Sequence, residues 1–202
     1  MKVEFRPAVS EDAPVAVPLI YSSGPAVLEY AFTLTKSRSA LGFLEYGFRD
    51  GAGEIGYRNH IAAVHDGQVV GVGACFSGDS SFRFLLSGIR QVWSHYGVLR
   101  SPAIIRRALK MESLIKPPDG TMHYIGHLGV PREWRGRGIG RQLVEHFLDI
   151  GRHANRPVAV LDVSVENERA QSLYEHIGFR VTEELQSTLP GVPDHRRMEM
   201  RI

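Results

Sequence analysis

Residues 130–141 read VPREWRGRGIGR and are the most informative part of this chain. A β-rich run ends where the stretch begins, and an amphipathic helical pattern starts at Ile139, so a strand passes into a helix within one short turn. Gly136, Gly138 and Gly140 have no β-carbon, which lets the backbone approach a ligand closely or take a positive φ. The first amides of a helix lack intrahelical partners and carry partial positive charge. This arrangement predicts a phosphate site.

Two common phosphate loops do not fit this stretch. A Walker loop requires Gly-Lys-Ser/Thr, and no lysine follows Lys116. The dinucleotide fingerprint requires glycine or alanine three positions after its second glycine, where this chain has Arg141 or Leu143, depending on the starting glycine. The predicted phosphate site therefore belongs to a different class.

The pattern Arg135-x-x-Gly138-x-Gly140 resembles the acetyl-CoA pyrophosphate loop of the GCN5-related N-acetyltransferase (GNAT) family. The resemblance continues in chain order. Leu-Gly-Val at 128–130 is similar to the family's fourth strand, and residues 160–167 are similar to its fifth strand and the asparagine that follows. Residues 170–179 match the family's Ala-x-x-Leu-Tyr-x-x-x-Gly-Phe run.

The resemblance implies a fold as well as a site. We expect an α/β (α+β) fold in which a single domain, residues 1–202, holds a mixed, mostly antiparallel sheet with a splayed central strand pair and flanking helices. Residues 121–187 would form the acetyl-CoA-binding core. Residues 80–116 have helical periodicity and look like a helical insertion.

The resemblance also implies roles for individual residues. The pyrophosphate of acetyl-CoA would lie on the backbone of residues 135–141, the pantetheine arm would extend along residues 128–130, and Tyr174 would donate a proton to the departing CoA thiolate. The residues expected to bind acetyl-CoA are Leu128, Gly129, Val130, Arg135, Gly136, Arg137, Gly138, Ile139, Gly140, Arg141, Asn167, Ala170 and Tyr174.

Several of these residues also have a purely structural interpretation. Asn167 is a good N-cap for the helix that follows it, and Tyr174 lies on the apolar face of that helix. The arginines could be solvated. His123 and His127 flank the fourth strand, and strict alternation places both on the face opposite Tyr124 unless a bulge intervenes. For these two histidines the structural interpretation is favoured.

The predicted reaction is direct transfer of an acetyl group from acetyl-CoA to a primary amine of a small molecule or peptide. The alternative is a catalytically silent CoA-binding module that serves as a sensor or partner. An amine acceptor must lose a proton, and a histidine, a carboxylate near the strand ends or a water chain could accept it. The sequence leaves that choice open.

The insertion at residues 80–116 directly precedes the strand that carries the predicted reaction centre, and such positions commonly hold specificity. We therefore expect it to cover the acceptor side of the cleft. Trp93, His95, Tyr96 and Arg100 are the side chains expected to line a pocket there.

Composition narrows the remaining possibilities. A net charge of +2 in 202 residues argues against nucleic-acid binding, and the single cysteine, Cys75, excludes an internal disulfide and leaves a metal site without its usual ligands. The N-terminal segment carries Glu4 and no long apolar run, and no stretch approaches the length of a membrane span. We expect a cytoplasmic protein that binds no membrane and no metal. Its oligomeric state is open, with a homodimer among the options.

Overall fold

The structure, a computed structural model, describes residues 2–202 and contains one seven-stranded sheet. Its strands are β1 (Glu4–Pro7), β2 (His60–His65), β3 (Gln68–Ser77), β4 (Met122–Gly129), β5 (Val158–Ser164), β6 (Arg180–Leu185) and β7 (His195–Arg201). Its α-helices are α1 (Ala13–Ser23), α2 (Pro25–Phe32), α3 (Ala40–Asp50), α4 (Ser81–Tyr96), α5 (Ser101–Met111), α6 (Ile139–His153) and α7 (Glu168–Ile177). The expected mixed α/β fold is confirmed.

The strand order is β1-β2-β3-β4-β5-β7-β6, and every neighbouring pair is antiparallel except β4 and β5. These two central strands are parallel and pair over only three positions, which begin at Met122↔Val158 and end at Tyr124↔Val160. Both strands continue beyond that point without pairing to each other. The expected splay of the central pair is therefore present.

Two apolar layers cover the sheet. On one face α6 buries Leu143, Val144 and Phe147 in the same cluster as the β5 side chains, and α7 packs beside α6 because Leu173 lies against Gly140. On the other face α1 and α3 form a second cluster that also receives Val92 of α4 and Ile104 of α5. A ligand that enters the splay between β4 and β5 therefore passes from one helical layer to the other.

The pair α4 and α5 is anchored to α2 through polar contacts with the backbone. The hydroxyl of Tyr96 donates to the carbonyl of Phe32, and the guanidinium of Arg107 donates to the carbonyl of Thr33 at 2.7 Å. Tyr96 is itself fully buried. These bonds fix the two helices beside the splayed strands.

Among residues 2–202, no single helix combines the length and apolarity needed to cross a membrane. The segment Ser10–Ser23 is long and apolar enough only when it is joined to Pro25–Phe32, and the two segments meet at an angle of 101°.

Candidate active site

A large cleft, with a volume of about 990 Å³, runs through the splay between β4 and β5. The residue 134–141 loop and α7 line one end, and α4 and α5 line the other. The loop, Asn167 and Tyr174, which lie apart in the sequence, therefore border one continuous space.

The glycine loop presents a row of free backbone donors at the start of α6. Gly136 and Gly138 have φ values of 79° and 77°, in the left-handed region that side chains disfavour. The first backbone bond into α6 runs from Gln142 N to Gly138 O at 3.0 Å. Within residues 2–202, the amides of residues 136–141 have no hydrogen-bond acceptor. Such a row suits an anion with several oxygens.

The arginines of this loop have their own partners on the protein. The Nε atom of Arg135 donates to the carbonyl of Val130 at 2.9 Å, so this side chain closes the loop. The guanidinium of Arg137 lies 4.8 Å from the ring centre of Trp134, and Arg141 pairs with Glu145 one turn further along α6. All three are exposed, so they surround the free amides with positive charge.

The end of β4 supplies an open strand edge next to that loop. Leu128, Gly129 and Val130 all line the cleft, and β5 has already diverged from this part of β4. A β-carbon on Gly129 would lie 2.7 Å from the Cβ of Leu19, so only glycine lets α1 pack this closely. An extended amide-bearing ligand could pair with the open edge.

Two predicted residues meet at the start of α7. Asn167 is the N-cap, and its side-chain oxygen accepts a hydrogen bond from the amide of Ala170 at 3.2 Å. The structural role considered for Asn167 is therefore present. Asn167 also lines the cleft, where its amide nitrogen remains available to a ligand.

Tyr174 combines a fixed ring with a free hydroxyl. Its ring packs edge-on against Phe179, with centroids 6.1 Å apart, and the residue is half-buried in the wall of the cleft. Within the described residues its hydroxyl makes no hydrogen bond. Burial raises the pKa of Tyr174 to about 12, so the phenol keeps its proton at neutral pH. A protonated, fixed hydroxyl is what a general acid requires.

A bulge in β4 changes the face on which His127 lies. Val72 and Ala74 of β3 pair with Gly129 and Gly126, so β4 contains one extra residue, and His127 has a φ of 56°. His123 lies buried on the α6 face, whereas His127 lines the cleft. The bulge is the exception that the sequence analysis allowed for, and strict alternation therefore does not describe the position of His127.

His127 belongs to a chain of three side chains. His60 Nδ1 lies 3.0 Å from the carbonyl of Gly56, and His60 Nε2 lies 3.1 Å from His127 Nδ1. The two rings stack with an interplanar angle of 10°. His127 Nε2 lies 3.6 Å from Oε1 of Glu54.

The carbonyl of Gly56 fixes the tautomers along this chain. A carbonyl only accepts, so His60 Nδ1 must carry a proton. Burial lowers the pKa of His60 to about 4 and that of His127 to about 3, so both rings are neutral at pH 7. His60 Nε2 is then an acceptor, His127 Nδ1 donates to it, and His127 Nε2 faces Glu54 with a lone pair.

Glu54 is a functional candidate that sequence reasoning missed. Its carboxylate lines the cleft with 49% of the side chain exposed, and desolvation by the cleft walls, followed by the charge of Glu112, raises the pKa of Glu54 to about 7. The carboxylate and the lone pair of His127 both accept hydrogen bonds, so a proton or a cationic group fits between them. The only signal in the sequence is a lone carboxylate within a glycine-rich stretch, residues 51–56.

Asp162 of β5 forms a buried ion pair. Its two oxygens accept hydrogen bonds from Arg197 at 3.0 and 2.9 Å, and from the hydroxyl of Tyr124 at 3.1 Å. With all these partners in place, Asp162 is a satisfied structural group in the floor of the cleft.

The insertion lines the cleft, but with other side chains than expected. Within residues 2–202 the lining includes Phe84, Leu85 and Ile89 of α4 and Leu109 of α5, and it contains none of the expected set Trp93, His95, Tyr96 and Arg100. Tyr96 is instead buried against Phe43 in the core, whereas Trp93 and Arg100 are exposed. Only the docking of α4 on the fold determines which face is inside.

The described residues contain no group of three or more His, Cys, Asp or Glu side chains placed to hold a metal ion. Cys75 is partly buried in β3, and burial raises the pKa of its thiol to about 12. The thiol is therefore protonated and is a poor nucleophile.

Comparisons with known proteins point to one family. A family model described as "Acetyltransferase (GNAT) family" matches residues 29–179. The chain is 29% identical to "5-NmdU N-acetyltransferase" of Pseudomonas phage PaMx11 over 109 residues, which are 54% of this chain and 67% of that protein. The first three curated relatives are covered over 67%, 37% and 24% of their own lengths.

Solved structures share the whole fold at low identity. An N-acetyltransferase from Staphylococcus aureus Mu50 superposes with a TM-score of 0.69 and 19% identity, covering 98% of this chain and 100% of that chain. The NatC complex bound to Gag peptide and CoA gives a TM-score of 0.55 and 18% identity over 100% of this chain and 99% of that chain. At this identity these matches establish the fold.

The tautomer chain predicts how the histidines titrate. We expect His60 and His127 to stay neutral from pH 8 down to about pH 5, because burial disfavours the imidazolium. Nitrogen-15 spectra should show a protonated Nδ1 in both rings. Titration of either ring near the ordinary histidine pKa, or a protonated Nε2 on His127, would contradict the assigned chain.

Proposed function

The chain belongs to the GNAT family of acetyltransferases, and on that premise we propose that it transfers the acetyl group of acetyl-CoA directly to a primary amine. The observation that carries the proposal is the row of free amides at residues 136–141, which shares one cleft with the open β4 edge and the free hydroxyl of Tyr174. The protein contributes no covalent nucleophile in this scheme.

The cleft offers a partner for each part of acetyl-CoA. The amides of residues 136–141 would bind the pyrophosphate, and the surrounding arginines would attract it. The open edge at residues 128–130 and the free amide nitrogen of Asn167 would pair with the amides of the pantetheine arm. The thioester would then reach the splay, where Tyr174 and His127 both face the cleft.

Glu54 and His127 would accept the proton that the amine must lose. An alkylamine has a pKa near ~10.4, so its neutral form costs about 4–5 kcal/mol at pH 7. Glu54, with a pKa of about 7, is partly ionised there, and the lone pair on His127 Nε2 lies 3.6 Å away. The ammonium can donate to both groups, and Glu54 then takes the proton.

Tyr174 would complete the reaction at the sulfur. Its hydroxyl keeps its proton at neutral pH and makes no hydrogen bond within the described residues, so it can donate to the departing thiolate. The base, Glu54, and the acid, Tyr174, are thus two groups whose pKa values desolvation in the cleft has raised in keeping with their roles.

The first test concerns Gly138. A valine there should weaken acetyl-CoA binding at least about tenfold in calorimetry, because a β-branched residue disfavours the left-handed φ that aims the loop amides. Gly191→Val is the matched control, since Gly191 has a φ of 73°, has open space around it and lies outside the cleft. Parental affinity in Gly138→Val would refute the loop assignment.

The second test removes one hydroxyl. Tyr174→Phe keeps the ring and should lower kcat by about 10²- to 10⁴-fold, the usual contribution of general acid catalysis, while the Kd of acetyl-CoA and the Tm stay unchanged. Tyr57→Phe, on a half-buried tyrosine outside the cleft, should leave kcat unchanged. If Tyr174→Phe turns over like the parent, Tyr174 has a packing role only.

The third test uses pH. The carboxylate form of Glu54 accepts the proton, so kcat/KM should rise with pH and bend near pH 7, where that form becomes dominant. Glu54→Gln should lower kcat/KM at pH 8 by about 10²-fold or more and abolish the bend. Glu45→Gln, on an exposed carboxylate of α3, is the control. A bend that persists in Glu54→Gln would assign the base elsewhere.

A further inference from the structure

We propose that the amine acceptor carries an extended apolar group, which lies between α4 and α5 while its ammonium lies among Glu54, Glu112 and His127. This inference rests on the proposed function and specifies its substrate class. It concerns the end of the cleft away from the glycine loop, where α4, α5 and α2 form the walls.

The walls at this end are predominantly apolar. The side chains that face the cleft are Phe84, Leu85, Ile89 and Val92 of α4 and Ile105 and Leu109 of α5. Leu85 and Leu109 are 47% and 54% exposed, and Phe82 at the start of α4 is 72% exposed. Apolar surface left open inside a cleft is stabilised when an apolar ligand covers it.

The carboxylates at this end are not matched by a free lysine of the lining. Glu54 and Glu112 both line the cleft, and their mutual repulsion contributes to the raised pKa of Glu54. The one lysine that the described part of the chain contributes to the lining, Lys116, pairs with Glu183 at 2.5 Å. A single ammonium between the two carboxylates relieves their repulsion, whereas an acceptor with its own carboxylate would add to it.

The walls give no support to an extended peptide. A peptide that binds as a strand needs backbone donors and acceptors along its length. Here the facing elements are helices, whose backbone groups are paired within α4 and α5 except at the helix ends. The observations therefore favour a small amphipathic amine over a protein N-terminus.

The test measures how the binding of an alkylamine depends on the length of its alkyl group. Straight-chain amines from propylamine to octylamine are titrated into the enzyme in the presence of CoA, and their kcat/KM with acetyl-CoA is measured in parallel. Each methylene should strengthen binding and raise kcat/KM about two- to fourfold, as expected for burial of a CH₂ group. The amino acid 2-aminooctanoate should bind at least about tenfold more weakly than octylamine, because its carboxylate is repelled by the two glutamates.

Two neighbouring leucines provide a matched pair of variants. Leu85 and Leu86 are exposed to a similar extent on α4, but only Leu85 lines the cleft. Leu85→Asn should weaken the binding of octylamine about tenfold and leave that of propylamine nearly unchanged. Leu86→Asn should change the binding of neither amine. Glu112→Gln should weaken the binding of both amines, and Glu45→Gln should weaken the binding of neither.

The outcomes separate this inference from the proposed function. Octylamine that binds no more tightly than propylamine, or a short peptide used more efficiently than any alkylamine, would overturn the substrate class even if acetyl transfer occurs. Chain-length-dependent binding without transfer to any amine would support the pocket and refute the proposed reaction. Equal effects of Leu85→Asn and Leu86→Asn would also overturn the placement between α4 and α5.

Discussion

The parallel pairing of β4 and β5 over only three positions is the constraint on which the site depends. Where two central strands part inside a sheet, their backbone donors and acceptors lose their partners, and buried groups of this kind must be satisfied by something else. The open edge of β4 at residues 128–130 therefore faces the cleft instead of a strand. The same gap connects the two helical layers, so one ligand can contact both.

Two local features aim polar groups into that gap. The bulge in β4 rotates His127 away from the α6 face and toward His60. The loop at residues 51–56 carries Glu54, and a β-carbon on Gly56 would lie 2.3 Å from the carbonyl carbon of Gly51, so the loop can close only with glycine there. Gln91 of α4 donates to the carbonyl of Ala52 at 2.8 Å, and this bond holds the loop against the helix that lines the far end of the cleft.

The two ends of the cleft differ in the chemistry they offer. The loop end presents amides and arginines, which suit phosphate oxygens. The α4–α5 end presents leucine, isoleucine and phenylalanine side chains around two carboxylates. Tyr174 lies on α7 and Glu54 in the loop at residues 51–56, so the proposed acid and base would approach the thioester from different elements. This separation keeps proton donation and proton acceptance from competing for one group.

The sequence alone determined the features that arise from neighbouring residues. The glycine loop, the start of α6 at Ile139 and the Asn167 cap each depend on a few consecutive residues, and the structure has all of them. Tertiary structure decided what joins distant segments. Glu54 reaches His127 only because β2, β3 and β4 pair in register, and His127 turns into the cleft only because of a bulge whose position depends on the partner strand. Periodicity describes one strand or helix at a time, so it carries no information about such pairings.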